Sequence, residues 1–157
     1  MSDICFVKQH DTMQYGSACL KMISDYFGKE YHSLFFSEIC HVTTEGVSLF
    51  SIVQAAKKIG LKTISGSATI NSITKIESPC ILHWNQNHFV VLYKVKKNRF
   101  YIADPAKGHV KYDLEVFKKH WVSTQSGGEE KGIAMFLEPT PAFYEKKTDE
   151  RSFNMQV

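Results

Sequence analysis

The hydrophobic pattern of this chain changes period at Gly60, and that change restricts the fold more than any other feature. Up to Gly60, apolar residues recur at three- and four-residue spacing. Cys19, Met22, Ile23, Tyr26 and Phe27 make one stripe along a helix expected over Ser17 to Phe27, with Gly28 as its stop. A shorter helix is expected from Ser33, as N-cap, through Leu34, Phe35, Glu38 and Ile39. A third, capped by Ser48, carries Leu49, Ile52, Val53, Ala56 and Ile59 and ends at Gly60. Beyond Gly60 the segments read as strands: Leu61 to Ser65, Pro79 to Trp84, His88 to Val95, Arg99 to Asp104 and Gly132 to Glu138. Turns fall at 85–87 and at Lys97-Asn98, and Asp113 is placed to cap a short helix bearing Val116, Phe117 and Trp121. Helices first and antiparallel strands after define an α+β domain, with helices packed on one face of a sheet.

A chain of 157 residues is one domain, or one domain and a tail, and can bury about two-thirds of its unfolded surface. It therefore needs neither metal nor disulfide to hold a core. Past Pro139 and Pro141 the composition turns to Glu-Lys-Lys-Thr-Asp-Glu-Arg, so the domain is expected over 1–141 and a linker or tail over 142–157. The net charge of +3 is mild, and Lys94, Lys96 and Lys97 read as a solvated hairpin tip, which excludes a nucleic-acid footprint. The four cysteines lack CxxC spacing and paired histidines, which argues against zinc. Met1 to Lys8 lacks the apolar core of a secretion signal, and no run approaches the roughly 18 apolar residues of a membrane span. A soluble domain with reduced thiols in a cytosolic setting is the expectation.

The chemistry-bearing residues follow the order of a cysteine-peptidase site. Such a site needs a thiolate at a helix N-terminus, a histidine from the sheet, an Asn or Asp that orients it, and a side-chain amide for the oxyanion. Gln9 precedes the first helix, His88 opens a strand and Asp104 closes the next. The nucleophile position holds Tyr15. Taken singly, each residue has a plainer reading: His88 a polar strand end, Asp104 before Pro105 a turn starter, Ser17 a helix cap. Cys19 lies one helical turn past Tyr15 on the apolar stripe, and Cys40 and Cys80 sit in apolar contexts; all three read as small buried hydrophobes.

The joint pattern resembles a known family. QHDTMQYGSACLKM is similar to the opening Gln-x-Asp-x-x-x-Cys-Gly-x-Ala-Cys-Leu motif of C39 peptidases, the N-terminal domains of bacterial ABC transporters that export bacteriocins and related peptides. TEGVSLFSIVQAAKKIGL resembles that family's third helix, PCILHWNQNHFVVLYKV its histidine hairpin and RFYIADPAKG its Asp-Pro segment, so the likeness covers residues 5 to about 141. It implies a papain-like fold, N-terminal helices on a C-terminal antiparallel sheet. It also implies Gln9 as oxyanion-hole glutamine, His88 as catalytic histidine, Asp104 as its orienting aspartate, and Tyr15 in place of the nucleophilic cysteine.

Active members cut a leader after a Gly-Gly pair. C39-like domains of haemolysin-type, type I secretion transporters have lost the cysteine, typically to tyrosine, and hold unfolded substrate without cutting it. The resemblance thus implies a recognition domain for a leader or unfolded export peptide, inactive as written. The alternative is a double-glycine leader peptidase represented by an inactive Tyr15 form; a regulatory domain that binds no cargo is the third class. No cofactor is expected in this domain. ATP belongs to a separate nucleotide-binding domain, and the expected partners are the peptide and the transporter's own membrane and ATPase domains, on the cytoplasmic side of the membrane.

One geometric condition follows. A strict two-residue turn at Lys97-Asn98 pairs Val91 with Asp104 and sends His88 to the opposite face. A catalytic pair requires a bulge, a longer turn, or the departure of Asp104 from the ladder.

Overall fold

The computed structural model describes residues 4–6, 15–40, 48–85 and 87–145. Three helices come first: α1 (Tyr15–Tyr26), α2 (Ser33–Ile39) and α3 (Leu49–Lys58). Then follow β1 (Leu61–Thr69), α4 (Ile70–Ile73), β2 (Cys80–Trp84), β3 (His88–Lys96), β4 (Arg99–Asp104) and β5 (Gly108–Asp113). The described chain closes with α5 (Leu114–Trp121), β6 (Val122–Ser126), β7 (Glu129–Pro139) and α6 (Pro141–Glu145). The strands make one antiparallel sheet in the order β1-β7-β2-β3-β4-β5, with β6 paired to β7.

The caps explain where helices begin. Ser48 accepts from the Ser51 N–H and Asp113 from the Val116 N–H, so α3 and α5 start where their sequence signals place them. The cap of α2 differs from expectation: it is His32, whose extended backbone lets Nδ1 accept from Leu34 N–H at 3.1 Å, and Ser33 is already helical. Helix α1 begins two residues before the expected Ser17, so Ser17 is a buried residue of its first turn and not its cap.

The sheet is buried on both faces. On one, α1, α2 and α3 lay Leu20, Ile23, Phe36 and Ile52 against Ile81, Val91, Met135 and Leu137. On the other, α4 and α5 cover Leu82, Val90, Leu92 and Ile102 with Ile73, Phe117 and Trp121. Helices were expected on one face only; the second layer explains why β2 and β3 are almost unbroken apolar runs instead of alternating ones. Phe117 stacks on Phe100 with centroids 4.1 Å apart and planes at 12°. Each such side chain removed from water contributes about 1.5–3 kcal/mol.

The domain also extends past the expected boundary. The stretch from 142 onward, read as tail because of its charges, begins with α6, whose Phe143 is fully buried. Gly60 makes that packing possible. It has φ +91°, and a Cβ there would strike the backbone of Phe143. Thr140 N–H donates to the Gly60 carbonyl at 3.1 Å, so the end of α3 and the start of α6 are locked together.

Candidate active site

The site assembles where α1 begins and where β3 and β4 meet. His88 opens β3 opposite Trp84, across a turn that is held from outside the hairpin. Asn85, at φ +49°, donates its N–H to the His120 carbonyl at 2.9 Å, and His120 Nδ1–H donates to Asn85 Oδ1 at 2.9 Å. The His120 ring lies parallel to Trp84, 5.0 Å away at 10°. Burial, followed by the charge of Lys107, holds the His120 imidazole below its ordinary range, with Asp104 opposing. The end of α5 therefore fixes the turn that delivers His88.

Asp104 closes β4 and is 2% exposed. Its Oδ1 accepts from Ala106 N–H at 2.9 Å, the local turn expected of Asp before Pro, and from His88 Nε2–H at 2.6 Å. The bulge needed for this contact is present. Lys96↔Arg99, Val95↔Phe100 and Lys94↔Tyr101 pair in strict register, but Leu92↔Ile102 and Val91↔Ala103 are shifted by one, leaving Tyr93 as the extra residue. In the shifted register, the position opposite Asp104 is Val90, two residues from His88 and so on the same face. Burial pushes the Asp104 carboxyl up. The hydrogen bonds from His88 and Ala106, and the charges of His88 and Lys107, outweigh that and hold it below the ordinary carboxylate range.

With Nε2–H committed to a carboxylate, the lone pair of a neutral His88 lies on Nδ1. That nitrogen is buried and has no hydrogen-bond partner among the described residues. Against the same imidazole packs the ring of Tyr15, centroids 4.2 Å apart and planes at 78°. Tyr15 is the first residue of α1, where the helix dipole favours negative charge and no acidic side chain occupies the first turn. Chemically, the pair can accept a proton at Nδ1 from any acidic group presented where Tyr15 stands.

Of the residues singled out from sequence, Tyr15, His88 and Asp104 meet here, and Gln9 lies outside the described residues. Cys19, Cys40 and Cys80 are fully buried and Cys5 is exposed. Burial drives the Cys19 thiol well above its usual range, with the Asp104 charge adding to it, and pushes Cys40 up to about 12. Neither is poised as a nucleophile. Among the described residues, no group of three or more His, Cys, Asp or Glu side chains could hold a metal ion. The clamp of Asn85 by His120 was missed from the sequence. Its partners are 35 positions apart, and nothing local marks them.

The profile of the Peptidase C39 family matches residues 3–125. This chain belongs to the C39 peptidase family. The C39 domain is 36% identical over 102 residues to the colicin V secretion/processing ATP-binding protein CvaB of Escherichia coli, covering 65% of this chain and 15% of that protein. It is 30% identical to the lactococcin-G-processing and transport ATP-binding protein LagD of Lactococcus lactis, covering 85% of this chain and 18% of LagD. It thus spans less than a fifth of these relatives. Among solved structures, a double-glycine-motif protease from an AMS/PCAT transporter, bound to its leader peptide, superposes with TM-score 0.76 at 31% identity, covering 88% of this chain and 93% of that one. The peptidase domain of Streptococcus ComA gives 0.73 at 27% identity, with 85% and 97% covered. The papain-like α+β architecture expected from the sequence is the one observed. Among the described residues, no helix of the C39 domain is long and apolar enough to cross a membrane.

Proposed function

We propose that this C39 domain recognises the leader of a peptide exported by an ABC transporter, and that it binds the leader without cutting it. The observation that carries this reading is Tyr15 packed on His88 at 4.2 Å, while His88 keeps its 2.6 Å bond to Asp104. The motif match that puts Tyr15 at the nucleophile position also puts Gln9 at the oxyanion site. A phenol, with reference pKa near ~10 against ~8.5 for a thiol, is a poor nucleophile toward an amide at neutral pH. Its ring also fills the space in which a scissile carbonyl must come within about 3–3.5 Å of the attacking atom. ATP hydrolysis and the membrane passage belong to other domains of the transporter, and this domain faces the cytoplasm.

A second reading is a leader peptidase of which the Tyr15 chain is an inactive form. It is favoured by the buried Nδ1 of His88, which has no hydrogen-bond partner among the described residues and is oriented as a base toward the start of α1.

One substitution separates the two. Tyr15→Cys places a thiol at the start of α1 beside that nitrogen. The peptidase reading expects cleavage after Gly-Gly in a bound leader, lost by about 10²-fold or more in Tyr15→Cys/His88→Ala. A tenfold gain over background needs only ~1.4 kcal/mol of barrier. A Tyr15→Cys protein that binds leader and never cuts it supports the pure recognition domain. Cleavage by the Tyr15 protein itself, surviving His88→Ala, overturns both.

A further inference from the structure

A cleft of about 410 Å³ opens beside the His88 hairpin, lined by His83 and Ile133 from the sheet, Asn85 from the turn, and Lys119, His120 and Ser123 from the end of α5 and the start of β6. Its position follows from two pairings. Asn85 is tied to His120 on both backbone and side chain, and Trp84, the residue before it, is paired with His88. The cleft is thus built on the same turn that delivers the imidazole.

Acyl transfer gives direction to this placement. In amide cleavage, the histidine hands its proton to the leaving nitrogen, so the segment on the carboxyl side of the scissile bond must lie over the histidine. For a peptide with its Gly-Gly pair on the α1 side, the cargo side falls toward His88, whose cross-strand partner Trp84 adjoins Asn85 in the lining of the cleft. The side chains there offer hydrogen-bond donors in excess. Lys119 is exposed and cationic, Ser123 is exposed, His83 is half-buried, and among the described residues no carboxylate lines the cleft. Lys107 adds positive charge near His120.

We infer that this cleft binds the first residues of the exported cargo, those immediately after the Gly-Gly pair, and that it selects an acidic side chain among them through Lys119. The inference rests on the proposed reading of the domain as a leader-binding C39 domain and assigns it a second, cargo-side contact. Specificity at an exposed lysine is modest, because solvent and salt screen the pair.

The Tyr15 protein suits the test because it is read as binding without turnover. Affinities are measured for three synthetic peptides: a double-glycine leader ending at Gly-Gly, the same leader extended by Ala-Glu-Ala-Ala, and the leader extended by Ala-Lys-Ala-Ala. The Glu peptide is expected to bind about threefold to fivefold more tightly than the Lys peptide at low salt, with the difference fading at 0.5 M salt. Lys119→Glu, at an exposed position that leaves the core untouched, is expected to reverse the order while the leader-only affinity stays the same. If the leader binds and the two extensions are indistinguishable in both proteins, the cargo-side site is wrong and leader recognition stands. If none of the three peptides binds, leader recognition fails and the cleft's assignment falls with it.

Discussion

His88 and Asp104, sixteen residues apart, are joined by a 2.6 Å hydrogen bond because Tyr93 is an extra residue in β3. Without it, the tight turn at Lys97-Asn98 would place Asp104 opposite Val91 and turn the two side chains to opposite faces. The bulge moves the register by one, and one residue is a whole face in a strand. The Asp104 carboxylate is also bonded to Ala106 N–H, and Nδ1 of His88 has no hydrogen-bond partner among the described residues.

The Asp104 carboxyl sits below its ordinary range in the folded protein, so its contribution to stability has a defined sign. It is fully present above the unfolded carboxyl value near ~3.9 and is lost as pH falls through the lower folded value. Asp104→Asn should therefore be less stable than the parent by about 1.5–3 kcal/mol at pH 6, the usual size for a hydrogen bond to a charged group. Urea titrations at pH 6 and pH 2.5 should show that deficit shrinking in acid. A deficit equal at both values would mean that the ionised carboxylate is not what holds His88.

The thiols should separate by burial. Cys5 is exposed, whereas Cys19, Cys40 and Cys80 are buried with thiols pushed upward. A disulfide reagent at pH 8 should label one cysteine quickly in the native protein and all four only in denaturant. Rapid native labelling of Cys19, together with peptide hydrolysis that depends on it, would show that the nucleophile lies one turn along α1.

Helix α6 should be part of the folding unit. Phe143→Ala removes a fully buried ring and should cost about 3–5 kcal/mol in chemical denaturation. Gly60→Ala should cost more than about 1 kcal/mol, because a Cβ at φ +91° is strained and meets the Phe143 backbone. If both variants unfold at the parent's midpoint, the packed domain ends at Pro141 as the composition alone implied.

The local code was readable wherever the physics is local. The stripe of α1, the Ser48 and Asp113 caps, Gly60 as the end of α3, and the apolar runs of β2, β3 and β4 all depend on neighbours within a few positions. The order of Tyr15, His88 and Asp104 was equally legible, since a site motif is a pattern in the chain. What could not be read is whatever depends on a distant partner. The polar edge strand β5 and the exposed strand β6 exist because β4 and β7 offer them unpaired backbone. Strand β1 runs on to Thr69 because β7 pairs with it throughout. Phe143 is core and not tail because Gly60 leaves room for it, and His120 grips Asn85 because α5 folds back over the sheet. The bulge at Tyr93 belongs with these. A strand sequence states which faces are apolar, but the register that decides whether two side chains meet is set by packing on both faces of the sheet at once.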